Sequence, residues 1–527
     1  MARGMARSLG AGSSPRRART AALAIAICAF ASPGIADEER PEVGLAFSTF
    51  FGGRNPGGDG VRELAFDPQG YLIVAGHPGP LADELPNTVR FGRIDGDDAY
   101  VAKLTPDASK LVWLAVIGGS GVDRGYGIDV DREGNVFLAG RTSSLDFPTT
   151  EGAFDRTNNG GGCAGPHGCR LDGYVLKLSA DGRRLLYSTY LGGEGIDGFR
   201  GGVAVDDQGF AYCVGELGAT RSYPGALNGY LGGESDGIVA KLSPDGSRVV
   251  WSRFVGSSDD RGLGEGLFGV EVDGEGNVLL HGSVGGSDAP TTPDAFDRTP
   301  NGGHDVYFVK LAPDGQRLLH ATLVGGRREE YAEHRMARDS AGNSYLVGQT
   351  RSADFPIVNG HRSPVRGEGD GYLIKLDASG RVVFTSRFGG SRDETALGPG
   401  VDAGGRIFVT GQTSSPDFDV TPGALGPKLR GEQDAFLRVY APTGALLYSS
   451  YFGGSANDFA RYATADPSGA AVIAGTTFSA DLPTTPGVFE RSYSGVGTDS
   501  FIARFVMRLP GTTPTRERGA SPAGEAP

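Results

Sequence analysis

The chain has 527 residues, 88 of them glycine, and a formal net charge of −13. So acidic a balance speaks against a nucleic acid or an anionic membrane as partner and leaves cations or cationic ligands open. The glycines follow no period of three, which excludes a collagen-like rod and points to a chain with many tight turns.

In chain order, Arg3, Arg7, Arg16, Arg17 and Arg19 precede an apolar run from Ala21 to Ala31, and Gly34-Ile35-Ala36 places a small residue before Asp37. This is the layout of a secretory signal peptide over residues 1–36, so the protein is expected to be exported, to the periplasm, the cell surface or beyond. Ile27 stands before Cys28 where a lipoprotein signal needs a small residue. Losing the five arginines of this segment deepens the charge from −13 to −18 over residues 37–527. No later stretch approaches the length of a membrane span.

Next comes VGLAFSTFFGG from Val43, which reads as a strand, and then a repeat. Seven times an Asp is followed by Gly three and nine residues on, at Asp67, Asp131, Asp206, Asp273, Asp339, Asp402 and Asp466. The Asp-x-x-Gly supplies a hairpin turn between two strands, the Asp bonding its own backbone and the Gly taking a positive φ. After a loop, a second recurring Asp opens an apolar, β-branched third strand at Asp98, Asp172, Asp236, Asp305, Asp370, Asp434 and Asp499. A Pro-Asp-Gly-like turn and a strand such as LLYSTYLGG from Leu185 close the unit. Lys103, Lys177, Lys241, Lys310 and Lys375 sit toward the short-turn end of their strands, where they are expected to snorkel.

Seven four-stranded units at this interval predict an all-β fold, a seven-bladed β-propeller over residues 37–510 whose blades bury faces that none buries alone. The last unit stops after its third strand, DSFIARF from Asp499, and the strand from Val43 lacks three partners before it. Pairing that N-terminal strand with the C-terminal three closes the ring and removes the free edge. The tail over 511–527, rich in Pro, Thr, Ala and Gly, reads as disordered.

LLYSTYLGG from Leu185, Asp131–Gly140, DFPTTEGAF from Asp146 and Asp434–Tyr440 make the chain resemble the SBBP-type β-propeller repeat family of exported bacterial proteins. The resemblance runs from Val43 to Phe505 and implies a seven-bladed exported propeller with no catalytic motif to transfer. Two copies depart from the pattern: Glu330 replaces an Asp, and one fourth strand ends in Gly256-Ser257 instead of Gly-Gly.

Cys163 and Cys169 lie in CAGPHGC, within a blade-two loop longer than its counterparts, and in an oxidising compartment read as a local disulfide. The metal alternative, with His167 between them, lacks a fourth ligand and standard zinc spacing. Cys213, mid-strand, reads as a small buried apolar residue.

The topology puts short turns on one face, and long loops with blade-to-blade crossings on the other, where binding chemistry is expected. The crossings carry Asp59, Asp123, Asp197, Asp260, Glu330, Asp393 and Asp458, a carboxylate ring beside that of the third-strand aspartates. Such rings either hold a hard cation such as Ca²⁺ or accept backbone N–H groups that lock blade to blade, and their regular recurrence favours the lock.

Residues that break the repeat are more informative. Blade five places Glu330, His334 and Arg335 near the tunnel mouth, a set suited to a general base or a metal ligand. Arg124, Arg200, Arg261 and Glu265 make a mixed funnel for a small polar or anionic ligand. HExxH, GxSxG in a strand-to-helix setting, a phosphate loop and CxxCH are all absent from the sequence.

The leading expectation is a monomeric exported scaffold that binds a protein or glycan by its long-loop face, without a cofactor. The alternative is a propeller enzyme, a metal-assisted hydrolase or lyase, with its site at the tunnel mouth.

Overall fold

A computed structural model describes residues 41–52, 60–77, 85–94, 97–160, 171–193, 195, 197–218, 223–233, 235–259, 264–363, 367–495 and 497–508, with the side chains of 197 and 334 excepted. The expected signal segment, the C-terminal tail and the Cys163–Cys169 pair lie outside these residues.

The described chain forms seven sheets in sequence order, each with an antiparallel four-stranded core. Blade one spans 61–118, blade two 123–190, blade three 197–255, blade four 266–324, blade five 330–388 and blade six 394–452. Blade seven takes three strands from 458–508 and its outer strand from Glu42–Phe51. That closing strand pairs from Glu42 opposite Arg508 to Phe51 opposite Ser500. The predicted ring closure is therefore present.

Turn chemistry sets each blade. Asp131 Oδ1 accepts the N–H of Glu133 at 3.1 Å and of Asn135 at 2.8 Å, and Gly134 takes φ +82°. The recurring lysines do more than snorkel, because they pair with the turn aspartate of their own blade. Lys103–Asp67 spans 2.5 Å, Lys177–Asp131 2.9 Å and Lys310–Asp273 2.9 Å. Burial alone raises the Asp131 pKa, but bonds from Asn135 and Lys177 outweigh it and hold the carboxyl below its usual range. Lys375 departs from the pattern and donates to the Pro442 carbonyl at 3.0 Å.

One apolar core fills each blade boundary. Between blades two and three, Phe137, Val175 and Tyr187 meet Val203, Cys213 and Ile238. Each large side chain buried this way contributes roughly 1.5–3 kcal/mol on leaving water. Cys213 is a buried free thiol, pushed by burial well above its ordinary pKa.

The described parts of the long loops do not stand out as a crown on one face. They fold back along the outer strand of their own blade, because that edge would otherwise leave backbone groups unpaired. In blade two Thr150 N–H donates to Ser188 O at 3.0 Å, and Tyr190 N–H to Asp155 O at 3.1 Å. In blade one the returning segment is regular enough to form a fifth strand, Thr88–Gly92, parallel to Leu111–Gly118. The DFPTT motif is thereby explained. Phe147 packs on Tyr174 at 4.4 Å between ring centroids, and Tyr190 Oη donates to Ser144 O at 2.8 Å while accepting Phe147 N–H at 3.1 Å.

Candidate functional site: a bulge-built arginine mouth

The innermost strand of every blade slips register at the same place. The slips lie between Val61 and Glu63, Gly125 and Gly127, Gly198 and Gly202, Leu267 and Gly269, Ala332 and Met336, Ala396 and Gly398, and Ala460 and Tyr462. A bulge leaves a residue out of the ladder and re-aims its side chain. Here the extra residues include Arg62, Tyr126, Arg200, Phe268, Arg335, Leu397 and Arg461, and each of these side chains lines the axial tunnel or the cavity beside it. Blades three and five carry one extra residue more than the others.

That longer bulge lets Arg335, at φ +81°, reach across the axis. Its guanidinium pairs with Glu63 of blade one, donates to the Ile128 carbonyl of blade two, and lies 5.7 Å from the Tyr462 ring centroid. Glu63 is buried and also accepts Ile128 N–H at 2.8 Å. Arg335 thus braces the tunnel below the mouth, at the cost of about 1 kcal/mol or more for a non-glycine residue in the left-handed region.

Around the mouth stand Arg62, Arg124, Arg141, Arg200 and Arg461, all half-buried. The Tyr126 ring gathers three of them, with guanidinium carbons of Arg62, Arg141 and Arg200 at 6.0, 5.6 and 6.0 Å from its centroid. Arg62 Nη2 donates to His77 Nε2 at 3.0 Å, so the His77 proton sits on Nδ1, which faces the Gly125 carbonyl at 3.4 Å. Burial first, then the fields of Arg62 and Arg124, drive the His77 pKa well below its ordinary value. Burial and the field of Arg461 push Arg62 down to about 10.

Two carboxylates temper this charge. Asp97 accepts Arg124 Nε at 3.2 Å and Nη2 at 2.8 Å, and Glu216 accepts Arg200 Nη1 at 2.8 Å. Beside Arg200 a cavity of about 510 Å³ opens toward blades four to six, lined by Phe268, His304, Tyr331, Glu333 and Gln349. The arrangement offers cationic donors and aromatic faces to an anionic ligand.

The residues expected from sequence fall in different places. Arg124 and Arg200 belong to the mouth, whereas Arg261 lies outside the described residues. Glu265 is a buried acid at the boundary before blade four and accepts Ser257 N–H at 2.6 Å and Gly285 N–H at 3.0 Å. It occupies the crossing position assigned from sequence to Asp260, which lies outside the described residues. In blade six that position belongs to Glu394, which accepts Gly390 N–H at 2.8 Å and Thr413 Oγ1–H at 2.6 Å. Its neighbour Asp393 accepts Gly369 N–H instead, at 3.1 Å. Asp123, Glu330 and Asp458 make the same boundary contacts, to Gly119, Gly326 and Gly454 N–H at 2.6, 2.9 and 2.7 Å. The backbone of Asp197 opens the innermost strand of blade three, and its side chain is outside the described set. Among the described residues no three His, Cys, Asp or Glu side chains converge as a metal group would require.

Glu330 and Arg335 do not form one constellation, since the first locks a blade boundary and the second braces the axis. His334 lies in the blade-five bulge by its backbone, and its side chain is outside the described set. Sequence reading passed over Arg62, Tyr126, Arg141, Arg461 and His77. Three of these, Arg62, Tyr126 and Arg461, stand five residues before a turn aspartate, in a column of the innermost strand that changes character from blade to blade.

Among known proteins, the family model described as the SBBP beta-propeller repeat matches residues 112–148, from the outer strand of blade one into blade two. No curated protein matches the chain in sequence. A solved protein of unknown function from Dyadobacter fermentans aligns at 9% identity and TM-score 0.42, over 89% of this chain and all of that one. A quinohemoprotein alcohol dehydrogenase from Comamonas testosteroni aligns at 12% identity and TM-score 0.40, over 91% and 78%. Among the described residues no helix is long and apolar enough to cross a membrane. The repeat match over residues 112–148 and the seven sheets together identify the chain as a seven-bladed β-propeller that carries an SBBP repeat.

Proposed function

We propose that this is an exported propeller that binds an acidic partner, a glycan or a protein segment, by seating carboxylate or sulfate groups among the arginines of its tunnel mouth. The observation that carries the reading is the convergence of Arg62, Arg124, Arg141, Arg200 and Arg461 around Tyr126 in a chain whose net charge is −13. An acidic body with a cationic mouth focuses anions toward the axis and repels them elsewhere, which favours one binding mode. The aromatic faces of Tyr126, Phe268 and Tyr331 suit sugar rings or apolar side chains flanking the charge.

The test is binding of the chain without its first 36 residues to immobilised acidic and neutral oligosaccharides and peptides. Acidic members should be retained and released as salt rises, because exposed charge pairs are screened. Equal retention of neutral and acidic members contradicts the proposal.

A further inference from the structure

Below the mouth an axial chamber of about 20 Å³ is enclosed by Arg62, Arg200, Arg335 and Arg461 with Tyr126 and Leu397. The four arginines come from blades one, three, five and seven. Glu63 also lines the chamber, but it is already paired with Arg335. Among the described residues Arg62 and Arg461 make no ion pair, and the Nε atoms of all four arginines are buried without a hydrogen-bond acceptor. Buried donors left unmet are costly, and four around one void point to an acceptor that belongs there.

Size and chemistry narrow its identity. The volume admits about one body of water size, which leaves no room for sulfate, phosphate or a carboxylate-bearing molecule. Water itself brings two protons that need acceptors, whereas guanidinium groups only donate. A monatomic anion accepts from every side and offsets the local positive charge. We infer that the chamber holds a halide ion, chloride in ordinary solution, as a counter-ion that ties four of the seven blades to the axis. The lowered pKa of Arg62, caused by burial and then by Arg461, agrees with concentrated positive charge around the chamber, which Glu333 offsets in part at Arg461.

The experiment is thermal melting in sodium gluconate, titrated with sodium chloride or bromide at constant ionic strength, together with anomalous diffraction from bromide-soaked crystals. The expected result is a saturable rise of a few degrees in Tm and one bromide peak between the four guanidinium groups. Arg461→Met should abolish the rise while the variant keeps its β-sheet circular dichroism. If that variant does not fold, the wild-type titration and the anomalous map decide. A Tm identical in gluconate and halide, or a chamber without bromide density, overturns the inference, whatever the mouth binds.

Discussion

At the residue scale, the blade boundaries explain why the fourth strands end in glycine. A Cβ on Gly325 would lie 1.9 Å from Asp305 Oδ1 and 2.6 Å from Glu330 Oε2, two buried carboxyls that face each other across the junction. Gly325→Ala should therefore cost about 3 kcal/mol, since neither acid has space to retreat. Urea denaturation checks this, and a midpoint unchanged from wild type contradicts it. The turn aspartates and glycines were legible from sequence because their chemistry is local. The boundary acids were half legible: counting eight residues back from the turn aspartate gives Asp123, Glu265, Glu394 and Asp458, and nine gives Asp197 and Glu330 in the two blades with the longer bulge. The sequence expectation of Asp260 and Asp393 misses this spacing, since they lie 13 and nine residues before Asp273 and Asp402.

At the element scale, blade number, the order of the four core strands and ring closure followed from the repeat alone. The bulges did not, because a register slip depends on how two strands pair and leaves no fixed residue type behind. Arg62, Tyr126, Phe268, Leu397 and Arg461 share one column and differ in character, and that variation is the trace a bulge leaves when it serves the site and not the fold. Nor did the sequence show that the long loops return to their own outer strands. The Thr150 hydroxyl accepts Ser188 N–H at 3.0 Å, and Thr421 does the same for Ser449 at 3.1 Å in blade six. These contacts become visible once the loop is seen beside the edge it covers.

At the scale of the whole molecule, net charge described the body and hid the mouth. It also hid a pH dependence. Burial raises Asp123, Asp370 and Asp458 to about 6, Glu394 to about 7 and Asp305 to about 8. A carboxyl raised in the folded state contributes stability that is complete below its unfolded pKa and is lost as pH climbs through the folded value. Asp131, Asp273, Asp339 and Asp466 are lowered, since their hydrogen bonds and ion pairs outweigh burial, and their contribution is lost in acid. Thermal melts should accordingly peak near about pH 5 and fall by several degrees by about pH 8.5; a Tm that climbs steadily toward pH 8.5 contradicts this balance. The central claim, that the mouth binds anions, is tested most directly by calorimetric titration of an oligogalacturonide and an oligoglutamate into the wild-type chain and into an Arg124→Ala/Arg141→Ala variant, which leaves the axial chamber intact. The account predicts one-site binding of at least one probe, weakened about tenfold or more in the variant, as expected when charge-assisted hydrogen bonds are removed. Failure of both probes to bind the wild type, or equal affinity in the variant, contradicts it.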